Sequence, residues 1–230
     1  MARLSSSVNI ALPTNWCGIR PVSLREALIQ ENVSLTDGTD NDRLKVRYIL
    51  LEAHRQNISS EYLTRWTLLD LCDRLSFMDT PPEEPLQLPP LAGKAPIERK
   101  LHGVPFSDYL QLENLWQGFL SSGAPEALTK MSELIWEGQT QFVTADLYLV
   151  LLWYSGLKKH FAVMFPSLFR PAGENSDIDM RRIMAAEIRA LTGGDITKED
   201  AVLAADTWTA LTELDAKACE AEEWRRKYKS

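Results

Sequence analysis

Along most of this chain apolar residues recur every three or four positions, the spacing that puts them on one face of a helix. The first stretch is the exception. Val8, Ile10 and Leu12 alternate with small or polar residues until Pro13, which predicts a short strand or an extended arm. Pro21 and Ser23 then read as a helix start, with Leu24, Ala27 and Leu28 on one face. Asp37-Gly38 signals a turn. From Asp42 the helical period is clear through Leu44, Tyr48, Leu51 and His54, until the segment from Asn57 to Ser60 breaks it. Ser60 is the expected N-cap of the next helix. Its face runs Tyr62, Trp66, Leu69 and Asp73, widened by Leu63, Leu71 and Leu75.

Seven prolines follow: Pro81, Pro82, Pro85, Pro89, Pro90, Pro96 and Pro105. Proline lacks the backbone donor and is excluded from helix interiors, so residues 79–106 are expected to be extended. Leu86, Leu88 and Leu91 are placed to cover a neighbouring helix face. Helical signals resume at Ser107, with Tyr109, Leu112, Leu115, Trp116 and Phe119. Gly123 and Pro125 separate this helix from one around Glu126 to Trp136. Another begins near Thr144 and is apolar on much of its circumference, with Leu147, Val150, Leu151, Trp153, Tyr154, Leu157 and Phe161; such a helix belongs in a core. Pro166 ends it.

Pro171 to Asn175 reads as a hinge, after which Ser176 or Asp177 caps a helix through Met180, Ile183, Met184, Ile188 and Leu191. Gly193-Gly194 stops it. Thr197 with Asp200 resembles a capping arrangement for a long helix to about Tyr228, with Ala204, Trp208, Leu211 and Ala218 along one seam. The pattern therefore predicts a mainly α protein. Its multi-helix globular body, residues 1–170, holds a short N-terminal extended segment and the proline-rich loop. Residues 171–230 form a helical hairpin, docked on the body or semi-independent.

Composition supports a folded chain: 45% of 230 residues are hydrophobic and seven are tryptophan. The net charge of -7 is concentrated in residues 101–230, which hold 13 basic and 19 acidic side chains. That surface repels phosphate backbones, so nucleic acid is not an expected partner. Arg225, Arg226, Lys227 and Lys229 are read as complementing a helix C-terminus. Cys17, Cys72 and Cys219 form no paired motif and suit a reducing cytoplasm. The longest apolar run, Leu147 to Trp153, is too short for a membrane span, and Met1 to Ser7 has no apolar signal core, so no membrane association is expected.

Chemistry-bearing motifs are missing. His54, His102 and His160 are isolated, there is no HExxH, and the Asp177/Asp179 pair points to different sides of a helix. Phosphate-cradling GxxxxGK[ST] and GxGxxG loops do not occur, nor does GxSxG. No cofactor and no enzymatic activity are expected. Trp66, Trp116, Trp136 and Trp153 lie on apolar helix faces and are assigned to the core, whereas Trp16 and Trp224 are less periodic and suit interface anchors. Trp16, with Leu12, could equally pin the N-terminal arm to the body.

Several stretches resemble an uncharacterised family encoded in bacteriophage and prophage tail-gene regions. They are Leu12-Pro13-Thr14-Asn15-Trp16, Leu63-Thr64-Arg65-Trp66, the nine residues from His102 to Leu110, Gly156-Leu157-Lys158-Lys159-His160-Phe161, Phe165-Pro166-Ser167-Leu168-Phe169, the eight from Ile188 to Asp195, and the seven from Trp208 to Leu214. The resemblance implies a tail-assembly or virion-associated protein in the cytoplasm of an infected bacterium or in the virion. It would be either a chaperone for the tape-measure protein or a structural subunit of tail or connector. Partners would be phage tail or other virion proteins, and a homo-oligomer assembling through its arms fits the second role. Trp208, Leu211 and Leu214 on the last helix, Leu86 and Leu88 on the proline-rich segment, and Trp16 are the candidate contact residues.

Overall fold

The computed structural model describes residues 10–169 and 180–228. The readings at Met1 to Ser7, Val8, Pro171 to Asn175, Ser176, Asp177, Asp179 and Lys229 lie outside them. Among the described residues there are nine α-helices and no strand. The protein is mainly α, as its hydrophobic period predicts. Its contacts group into two units, residues 1–89 with 141–156, and residues 90–140 with 157–230. The segment from 171 onward therefore groups with 90–140 and 157–170.

The first unit holds α1 (Pro21–Gln30), α2 (Asn41–Arg55) and α3 (Arg65–Arg74). Pro21 stands at the first turn of α1, where its missing N–H is no loss. Asp40 caps α2 by accepting from Arg43 N at 3.1 Å. The predicted cap at Ser60 is corrected. Ser60–Tyr62 is a separate 3-10 turn, and Thr64 caps α3 by accepting from Thr67 N. Of the N-terminal stretch the structure describes Ile10 onward, and Ile10 to Pro13 form neither helix nor strand. The Gln56 side-chain amide bonds this stretch, accepting from Ala11 N at 2.9 Å and donating to Ala11 O at 3.0 Å.

Two buried carboxylates tie this unit together. Glu52 accepts from Ser23 Oγ at 2.6 Å and Arg55 at 2.7 Å, with Arg20 at 3.4 Å. Burial pushes the Glu52 carboxyl up, but the bonds from Arg55 and Ser23 outweigh it and hold it below the ordinary value. Asp146 accepts from Arg25 at 2.6 Å and from Val143 N at 3.0 Å, which caps α6 (Thr144–Met164). Residues of α6 belong to both units.

The proline-rich segment after Thr80 forms no helix before Phe106, turns back at Leu91–Lys94, and is packed down. Leu86, Leu88 and Leu91 are all buried. Gly156 on α6 explains one close approach: a Cβ there would collide with the Glu84 carbonyl.

The second unit holds α4 (Phe106–Ser122) and α5 (Pro125–Ile135), joined through Gly123, whose φ of 67° makes the left-handed cap that a helix hairpin needs. Phe106 rather than Ser107 begins α4, and the N-cap position falls on Pro105 without a side-chain bond. Then come α7 (Met180–Thr192), the short α8 (Glu199–Leu203) and α9 (Thr207–Tyr228). The long seamed helix expected from Thr197 is corrected here: it breaks at 204–206. Ala205 O accepts from Phe106 N at 2.8 Å, and the Asp206 carboxylate accepts from Gly103 N and Trp208 N. Those groups hold the loop before α4 instead of continuing a helix. Asp195, not Thr197, makes the cap in this region, accepting from Thr197 N at 3.1 Å.

Candidate functional site

The contact residues expected from the sequence are folded into the chain's own interior. Leu211, Leu214, Leu86 and Leu88 are buried. Trp16 is also buried; its indole N–H donates to Thr80 O at 2.9 Å and its ring meets the edge of Phe77. Of the two roles open to Trp16, pinning the N-terminal segment is the one observed. Trp208 is half-buried at an aromatic node. It stacks on His102 at 4.2 Å, meets Phe161 and Phe165 edge-on, and donates from Nε1 to Lys100 O at 2.6 Å. Stacked on one ring, met edge-on by two others and with its N–H bonded, this indole is engaged within its own chain.

This node accounts for much of the sequence pattern. The loop leading into α4 is strapped to the start of α9. Thr207 donates to Val104 O from both its backbone N–H, at 2.9 Å, and its hydroxyl, at 2.7 Å. Leu101 sits there fully buried with φ of 64°, a strained value for a branched residue. The Glu98 carboxylate holds the turn by accepting from Lys100 N and His102 N, both at 2.9 Å. Further along, Asp215 accepts from Ser167 N and Leu168 N, fixing the turn after α6. The stretches around His102, Phe161, Phe165 and Trp208 thus build one packing centre.

Beside it lies a polar cluster. Lys158 donates to Glu113 at 2.8 Å and stands 4.7 Å over the Phe169 ring, while Gln117 donates to the other Glu113 oxygen at 2.9 Å. Glu187 on α7 shares this site, and burial followed by the nearby Glu113 charge pushes its carboxyl up to about 7. Tyr109, fully buried against the same two carboxylates, is pushed well above its ordinary value. The cluster can hold or release one proton near neutrality.

Both units carry exposed apolar surface among the described residues. On α3, Trp66 and Leu69 form an exposed stripe at helical spacing, with Trp66 79% exposed, and Tyr62 in the 3-10 turn before the helix is exposed as well. Assignment of Trp66 to the core is therefore corrected. Inward packing on this helix is done by Leu71, and by Leu75 just after it, about a third of a turn or more away from the stripe. The sequence pattern had merged two faces into one. Trp116, Trp136 and Trp153 are buried as expected. In the second unit, Met184, Ala185 and Ile188 of α7 line an open groove of about 560 Å³ with Ile196, rimmed by Arg181, Arg189 and Glu199. On α9, Trp224 and Tyr228 stand exposed and stacked on each other at 5.2 Å.

Among the described residues no group of three His, Cys, Asp or Glu side chains is placed to hold a metal ion, and no helix is long and apolar enough to cross a membrane. Cys17, Cys72 and Cys219 are free thiols. Comparison with protein-family models, with curated proteins and with solved structures finds no match for this chain.

Proposed function

We propose that this chain is a non-enzymatic bacteriophage tail-assembly protein that captures an amphipathic helical segment of a tail protein on the exposed face of α3. The observation that carries the reading is the pair Trp66 and Leu69, presented one turn apart on a capped helix with the large indole four-fifths in solvent. A solvent-exposed tryptophan on a helix makes the anchor that protein interfaces favour. The sequence resemblance to tail-gene-region proteins supplies the class of partner, and Trp66 lies within one of the stretches that carry it. Packing in its own chain accounts for Trp16 and Trp208 in the other stretches; it does not account for Trp66.

In this reading the contact surface moves from α9 and the proline-rich segment, whose leucines are buried, to α3. An apolar helix of the partner would cover the stripe until assembly. The tagged chain, expressed in phage-infected cells, is expected to co-purify with a tail protein such as the tape-measure protein. Replacing Trp66 with Ala is expected to weaken capture by about 2 kcal/mol and to leave the melting temperature unchanged. Equal capture by both proteins, or capture of no virion protein, would refute the proposal. Presence of the chain at fixed stoichiometry in purified particles would replace the chaperone role with that of a structural subunit.

A further inference from the structure

We propose that residues 217–228 of α9 pair antiparallel with the same segment of a second copy of this chain, each Trp224 seated over Ala221 of the other copy. The surface lies in the second unit, and the inference is independent of the role assigned to α3.

The argument begins with the seam of α9. Ala210 and Leu214 are buried in the chain's own core. The same stripe continues through Lys217, Ala221, Trp224 and Tyr228 at alternating spacings of three and four, the spacing of a helix-pairing seam. Ala221 is exposed, Trp224 is 63% exposed and Tyr228 is 73% exposed. The seam thus runs on past the residues that cover it. Its two rings lie nearly parallel, 10° apart, and present a broad apolar surface.

Charge identifies the occupant. Within this segment the sign inverts along the helix: Glu220, Glu222 and Glu223 precede Trp224, and Arg225, Arg226 and Lys227 follow it. A segment acidic at one end and basic at the other complements itself when a second copy runs in the opposite direction. Helical geometry sets the register. With Trp224 opposite Ala221, a large residue meets a small one in two equivalent layers. Glu220 then falls beside Lys227 of the other copy, on the same flank of the seam and twice over, as two-fold symmetry requires. Lys217 meets the Tyr228 ring. A parallel pair would instead set Lys217 against Lys217 and Trp224 against Trp224, and would align the two helix dipoles unfavourably.

Twelve residues span about 18 Å, so the interface is small and the association weak, with a dissociation constant on the order of 10 μM. Sedimentation of the full chain over about 1 to 200 μM at low salt is the test. Wild type is expected to dimerise, and W224A to remain monomeric with unchanged helix content. E220K alone places like charges at both flanking contacts, as does K227E alone, and each is expected to weaken the dimer about tenfold. An equimolar mixture of E220K and K227E restores opposite charges at both contacts and is expected to associate as wild type does. A wild-type chain that stays monomeric overturns the proposal, even if Trp224 binds some other protein. A dimer indifferent to K227E, or a mixture that does not recover, overturns the antiparallel register. W66A is expected to dimerise normally, which separates this result from the outcome for α3.

Discussion

At the scale of single residues, two tryptophans of similar sequence context have opposite fates. Trp66 and Trp208 both sit on helices with apolar neighbours at the right spacing, yet one is solvated and the other is clamped by His102, Phe161, Phe165 and a hydrogen bond to Lys100 O. Replacing Trp208 with Ala removes the hub of that node and leaves the Lys100 carbonyl without its indole donor. A loss of about 3 kcal/mol of stability is expected, read as a lower midpoint in chemical denaturation. A neutral W208A, with partner capture lost instead, would return Trp208 to the role of a surface anchor. The strained Leu101 beside this node belongs to the same economy of structure. Its backbone is held by Glu98 and its side chain is fully buried, so surrounding contacts sustain a conformation that the residue alone disfavours.

At the scale of elements, α7 is expected to be held more firmly when its Glu187 is protonated. Its Glu187 faces Glu113 and Lys158, with Tyr109 buried beside them. The folded carboxyl titrates at about 7 against an ordinary value of 4.5, so folding favours the protonated form. Stability from this group is fully present below pH 4.5 and is lost as pH rises through about 7. Melting is therefore expected about 5 °C lower at pH 8 than at pH 5.5 through this group, and Glu187→Gln should flatten that slope. The measurement is a thermal melt of both proteins across that range. An identical pH profile for wild type and E187Q would show that the carboxyl is already solvated. Glu52 has the opposite sign: its lowered value stabilises above the ordinary carboxylate range and that contribution is lost on acidification. A profile taken between pH 5.5 and 8 isolates the α7 effect from it.

At the scale of the whole molecule, charge sets an expectation about partners. The chain carries a net charge of -7, most of it in residues 101–230. Duplex DNA is expected to show no binding at about 0.1 M salt, where repulsion between exposed like charges is screened only beyond about 10 Å. A tight complex that weakens steeply with salt would overturn that expectation. Helix content, the break in helix over the proline-rich segment and the buried Trp116, Trp136 and Trp153 were legible from periodicity, proline spacing and residue size, because those are local properties of the chain. Where α3 turns its stripe was not legible. Tyr62, Trp66 and Leu69 satisfy the same period as Leu71 and Leu75, and a helical repeat says that a face exists without saying what lies opposite it. The break at 204–206 was hidden for a related reason. Ala204, Ala205 and Asp206 carry no strong helix-stop signal, and only the loop before α4, about a hundred residues earlier, draws their backbone and carboxylate groups away from the helix. By itself the sequence determined the kind of elements and the sign of the surface. Tertiary structure decided which apolar faces are core and which remain exposed, since burial depends on neighbours distant along the chain.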